Sequence, residues 1–144
     1  MTTQTNSEVL SPERRTATRR PPATVIVASV LTVLLASVGT YGAIYFSGLD
    51  GYGPVDATFL SMYGYLSLIG IVSVIAQFRG SGIGQAGVIA WGIFMALFTL
   101  VKLVTIQETE AISFGVVALI VVALELSPPT RRFVRSRQAR AARS

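Results

Sequence analysis

The 144-residue chain contains no cysteine and no histidine. The first absence excludes thiol nucleophiles, disulfide exchange and thiolate metal centres. The second removes the commonest general base and the usual axial ligand of haem. With neither present, no metal cluster or catalytic set stands out, and no cofactor is expected. Charge is also scarce: 13% of the residues are charged, against roughly 25% in an average soluble domain. Lys102 is the only lysine, and the other basic residues are all arginine. Proline is missing from every long apolar stretch, since Pro12, Pro21, Pro22, Pro54, Pro128 and Pro129 all lie outside them.

What fills the sequence instead is apolar residue, 51% of the total, gathered into four long runs. The first, 23–46, carries no charge. As an α-helix it would extend about 35 Å, enough for a hydrocarbon core of about 30 Å. Its many Val and Ile residues also suit a strand. A chain this short cannot close four strands into a barrel, however, and open strand edges are intolerable in lipid. The run is also longer than the apolar core of a secretory signal, about 7–15 residues, so a retained span is expected.

Further runs follow at 57–78, 85–106 and 110–127. They are separated by a breaker-rich connection at 47–56, a short one at 79–84 and a polar turn, Gln107-Glu108-Thr109-Glu110. Ser127-Pro128-Pro129 is expected to stop the fourth run, because the position before proline disfavours helix. With no proline inside a run, proline-broken helices of the kind that build transporter sites are not expected. The expected fold is all-α: an antiparallel four-helix transmembrane bundle over 23–127. A disordered basic tail is expected over 1–22 and a second basic tail over 128–144.

Orientation follows from charge. Arg14, Arg15, Arg19 and Arg20 precede the first run, and Arg79 follows the second. Arg131, Arg132, Arg135, Arg137, Arg140 and Arg143 follow the fourth. For an even number of spans these fall on one side, opposite Asp50, Asp56, Glu108 and Glu110. An excess of arginine marks the cytoplasm, which places both termini there. The abundance of Arg, Ala, Gly and Val reads as a GC-rich bacterial genome, hence the bacterial cytoplasmic membrane.

Small residues offer ways for the helices to approach. Ala28, Thr32, Ala36 and Thr40 recur at intervals of four. Ser61, Gly64, Ser67, Gly70 and Ser73 recur at intervals of three, and Gly92 and Ala96 follow in the third run. Such stripes suit packing within the bundle or between copies in a homo-oligomer. The three-residue stripe drifts around its helix by about 60° per step, as 3.6 residues per turn require.

Gly82-Ile83-Gly84-Gln85-Ala86-Gly87 is a literal GxGxxG. Without a preceding strand it reads as an inter-helix turn and not as a dinucleotide site. Lys102 is the only basic residue inside a run. It can snorkel or pair with Glu108 or Glu110; alternatively it contacts a ligand or partner in an outward-facing pocket. Tyr41, Tyr63, Tyr65 and Thr99 lie at the same level and supply hydroxyls for such a pocket, or form an interfacial belt. Glu125 is expected to be neutralised by Arg131 or Arg132. Asp50 and Asp56 are read as solvated loop charges, since two carboxylates fall short of a calcium ligand set. Arg131, Arg132, Arg135 and Arg137 are expected to contact anionic lipid headgroups. No base-reading module accompanies them, so nucleic acid is not an expected partner.

The Arg-Arg-Pro-Pro-Ala lead-in at 19–23 and the Leu-Ser-Pro-Pro-Thr-Arg-Arg-Phe exit at 126–133 frame this layout. In it, the chain resembles small four-span bacterial integral membrane proteins. The resemblance implies topology and carries no functional residue across. The small multidrug-resistance transporters are similar in span number, but they use a glutamate within the first helix, where this chain has none. The expected role is therefore non-enzymatic: a small accessory or structural subunit binding a membrane partner or larger complex. The alternative is an oligomeric transporter or channel component with a polar pocket near Lys102.

Overall fold

The computed structural model of the chain describes residues 20–49, 53–105, 107, 109 and 111–142. Arg14, Arg15, Arg19, Asp50, Glu108, Glu110 and Arg143 lie outside the described residues. Five helices follow in order: α1 (Ala23–Leu49), α2 (Pro54–Phe78), α3 (Gly82–Thr105), α4 (Ala111–Leu126) and α5 (Pro128–Ala141). No strand occurs among the described residues. The β-branched content of α1 does not prevent helix, because tertiary context overrides a propensity difference of less than about 1 kcal/mol per residue.

Hydroxyl side chains are satisfied locally. Ser29 donates to the Val25 carbonyl at 2.7 Å, Thr32 to Ala28 at 2.8 Å and Thr99 to Met95 at 2.9 Å. This back-bonding lets Ser and Thr sit in an apolar helix without an orphan donor.

Helix ends depart from the sequence expectation in informative ways. Pro54 opens α2, so residues 54–56, Asp56 included, belong to the helix and not to the connection. Proline suits the first helical turn, where its missing N–H is not needed. The α2 helix closes with paired bonds, from Gly80 N to the Gln77 carbonyl at 2.8 Å and from Ser81 N to Ala76 at 3.0 Å. Gly80 has φ +89°. This is a Schellman cap with glycine in the left-handed position. The α3 helix then starts at Gly82, within the GxGxxG segment, so only its first glycine stands at a turn.

The largest difference concerns Pro128-Pro129. They end α4, but they also begin α5, and the two helices meet at 55°. Of the basic tail expected over 128–144, residues 128–141 are therefore helical, and a proline-marked break does follow the fourth run. Ala23–Tyr45, Leu60–Phe78 and Gly82–Val104 are each long and apolar enough to cross a membrane. The α4 helix has 16 residues, about 24 Å at helical rise. It qualifies as a fourth candidate only when joined to α5.

The first four helices form an antiparallel ring in which each packs on its chain neighbour and α4 closes onto α1. Leu35, Ala36, Trp91, Met95 and Ala118 make one core layer, and Ala28, Val74, Val88 and Val121 make the next. The third layer joins Val25 of α1 to Phe133 and Val134 of α5.

The small residues set the spacing. Ala28, Thr32 and Ala36 are buried along α1. The α2 stripe turns as its drift requires. Gly64 faces open space; Ser67 bonds toward α1, its hydroxyl 2.7 Å from that of Thr40; and Gly70 and Ser73 face Trp91 and Gly87 of α3. The Trp91 indole N–H donates to the Leu66 carbonyl at 2.9 Å. A Cβ at Gly84 would overlap the Gln77 backbone nitrogen, and one at Gly87 would overlap the Ser73 hydroxyl. Gly84 and Gly87 thus act as close-packing residues within α3, not as parts of a turn.

Candidate functional site

The last turn of α2, the first turns of α3, the end of α4 and all of α5 meet at one end of the ring. Glu125 is fully buried there. It is the only acid whose side chain is described. Its Oε2 accepts a bond from Gln77 Nε2 at 2.6 Å, and its backbone carbonyl accepts one from Gln85 Nε2 at 2.8 Å. One residue of α4 thus ties together α2 and α3. Gln77 Oε1 and Glu125 Oε1 are buried without a hydrogen-bond partner. Each is an acceptor with spare capacity, able to take a bond from water or a cation; left unfilled, such an atom costs about 1–3 kcal/mol.

The expected pairing of Glu125 with Arg131 or Arg132 is not what the carboxyl makes. The bend at Ser127 is the reason. It presents Thr130, Phe133 and Val134 to the bundle and leaves Arg131, Arg132 and Arg135 exposed. Gln77 and Gln85 carry no motif that marks them in the sequence. Their signal is an isolated amide near the end of an apolar run, where a buried polar side chain needs a partner.

The α5 helix is held by both polar and apolar contacts. The Thr130 hydroxyl donates to the Leu124 carbonyl at 3.0 Å, and Ser127 donates to the same carbonyl at 2.6 Å. The same carbonyl accepts the Ser127 backbone N–H at 3.2 Å, so three donors gather on one carbonyl in the last turn of α4. Thr130 also lies 2.8 Å from the Thr24 hydroxyl of α1. The Arg137 guanidinium stacks 5.2 Å from the centre of the Phe133 ring. Its Cβ lies against Gly80, where an added Cβ would approach to 2.6 Å. Arg137 is therefore partly engaged in packing, unlike Arg131, Arg132 and Arg135. Beside this helix is a cavity of about 270 Å³ lined by Arg20, Pro22, Pro129, Arg132 and Phe133.

The residues grouped around Lys102 are spread differently. Lys102 is half-buried in the last turn of α3. Tyr41 and Tyr65 are each 69% exposed on the outer surface, and Tyr41 stacks on Tyr45 with ring centroids 6.2 Å apart. The Tyr63 ring meets Phe98 edge-on at 5.6 Å. Thr99 is buried, bonded within its own helix and packed against Gly115. An apolar furrow of about 280 Å³ runs between α1 and α4, bordered by Leu34, Leu35, Val38, Phe114 and Val117 among others.

No family model, no curated protein and no solved structure matches the chain.

Proposed function

We propose that the chain is a four-span bacterial inner-membrane protein with both ends in the cytoplasm. It works without catalysis, as a small accessory subunit of a larger membrane partner. The observation that carries this reading is the build of α5. Its Phe133 and Val134 are buried against α1 while Arg131, Arg132 and Arg135 are exposed. A docked helix with arginines on its outer face is suited to an anionic leaflet, at about 1 kcal/mol per basic residue near the surface.

The lateral surface supports the membrane setting. Leu34, Leu68, Leu97 and Leu119, one from each of α1 to α4, are more than half exposed. Exposed large apolar side chains on every one of these helices suit acyl chains better than water. The arginine-rich end is the cytoplasmic one by the positive-inside rule. On this reading α4 crosses most of the hydrocarbon, and α5 lies off its axis near the headgroups.

Purification in mild detergent tests the accessory role: a larger complex should accompany the chain. Recovery of a lone monomer after crosslinking counts against it. The alternative, a transporter or channel component with Lys102 at an outward pocket, predicts a different result. Under it, Lys102→Ala and gene deletion would alter the same solute phenotype.

A further inference from the structure

Two arginines from distant parts of the chain converge on one cavity. Arg20 stands in the lead-in to α1, and Arg132 lies in α5. With Pro22, Pro129 and Phe133 they line an open-mouthed cavity of about 270 Å³. Drug-sized ligands occupy about 300–1,000 Å³, so this space suits a smaller group. Both arginines are exposed, and no ion pair engages either among the described residues. Glu125, the described acid, is buried and bonded to Gln77. Among the described residues, the lining therefore brings two guanidinium side chains together with two prolines and a phenylalanine, and it includes no acid.

That combination is selective. A guanidinium fork matches the oxygens of a phosphate and binds them bidentately, which an ammonium cannot do. Apolar residues in the same lining suit the carbon skeleton that a phosphate ester carries. We propose that this cavity binds one phosphate ester between Arg20 and Arg132, with its organic part against Pro22, Pro129 and Phe133. The membrane reading above, on which the choice of source rests, makes the ester an anionic phospholipid headgroup. The site is distinct from diffuse attraction by α5, because it needs fork geometry and not merely positive charge.

Charge-preserving substitutions separate the two. The full chain is purified in detergent. Binding of phosphatidylglycerol and phosphatidylcholine is then followed by native mass spectrometry and by thermal unfolding. Parallel arms use glycerol 1-phosphate and inorganic phosphate without lipid. The expected result is one tightly retained phosphatidylglycerol. Arg20→Lys and Arg132→Lys should each weaken it about tenfold, the loss of roughly one charge-assisted hydrogen bond. Arg140→Lys, outside the cavity, should not. Because Arg20 and Arg132 are exposed, both variants should unfold at the parent temperature when no lipid is present. Equal lipid binding by all the lysine variants would overturn the cavity and leave the basic outer face of α5 standing. If the parent fails to distinguish phosphatidylglycerol from phosphatidylcholine, both the cavity and the anionic-leaflet reading fall. Stabilisation by glycerol 1-phosphate alone, equal to that by lipid, would overturn the lipid source.

Discussion

Gly64 and Gly84 differ in what an added methyl group would meet: open space at the first, the Gln77 backbone at the second. Backbone cannot swing aside as a side chain can. Gly84→Ala is therefore expected to lower stability by about 1–3 kcal/mol, the usual range for overpacking. Gly64→Ala should be neutral or slightly stabilising, since alanine is the better helix former by about 1 kcal/mol. Thermal unfolding in detergent checks both, and an equal response would contradict the close α2–α3 approach. Glu125 makes a second comparison. Glu125→Gln keeps the shape and an acceptor for Gln77 Nε2, so stability should stay near that of the parent. Glu125→Leu strands the buried Gln77 amide and should destabilise by about 1–3 kcal/mol. The same unfolding assay tests this, and Leu matching Gln would show that the hydrogen bond contributes little. These residues also mark how far the sequence could be read. Glu125 was legible as a lone carboxyl near the end of the fourth run. Its partner was not, because pairing by opposite charge overlooks an amide on another helix. Gly84 and Gly87 read as a turn because glycine breaks helices in water. Between packed helices the same residue lets two backbones touch.

The four apolar helices are legible because long uninterrupted hydrophobic runs without proline favour helix over its rivals. Their boundaries are less so, since proline both stops a helix and starts one: Pro54 and Pro128 each stand first in a helix. The α5 helix was hardest to foresee as a packed element. Its inward face is Thr130, Phe133, Val134 and the stem of Arg137, at helical spacing but with only two apolar residues. Phe133 joins Val25, Val134 and the Arg137 guanidinium. Phe133→Ala should therefore loosen the whole helix, by about 3 kcal/mol if the space stays unfilled. Limited trypsin digestion is the readout, as α5 is rich in arginine. Cleavage at Arg131 to Arg140 should speed up severalfold while α1 to α4 remain protected. Unchanged digestion would show that Phe133 does not hold α5 down.

At the level of the whole molecule, the membrane reading predicts where the ends lie. Reporter fusions at residue 1 and residue 144 should both signal from the cytoplasm, because an even number of spans returns the chain to its starting side. Signals from opposite faces would remove the fourth pass and leave three. The drift of small residues along α2 bears on how such a bundle moves. Its Ser67 face is committed to α1, and its Gly70 and Ser73 face to α3, less than two turns further on. Rolling α2 to widen one seam would drive a Cβ-bearing residue into Trp91 or pull Ser67 from the Ala36 carbonyl. Both seams are therefore locked by the same helix, and rocking of one half against the other, the usual means of alternating access, meets resistance at its pivot.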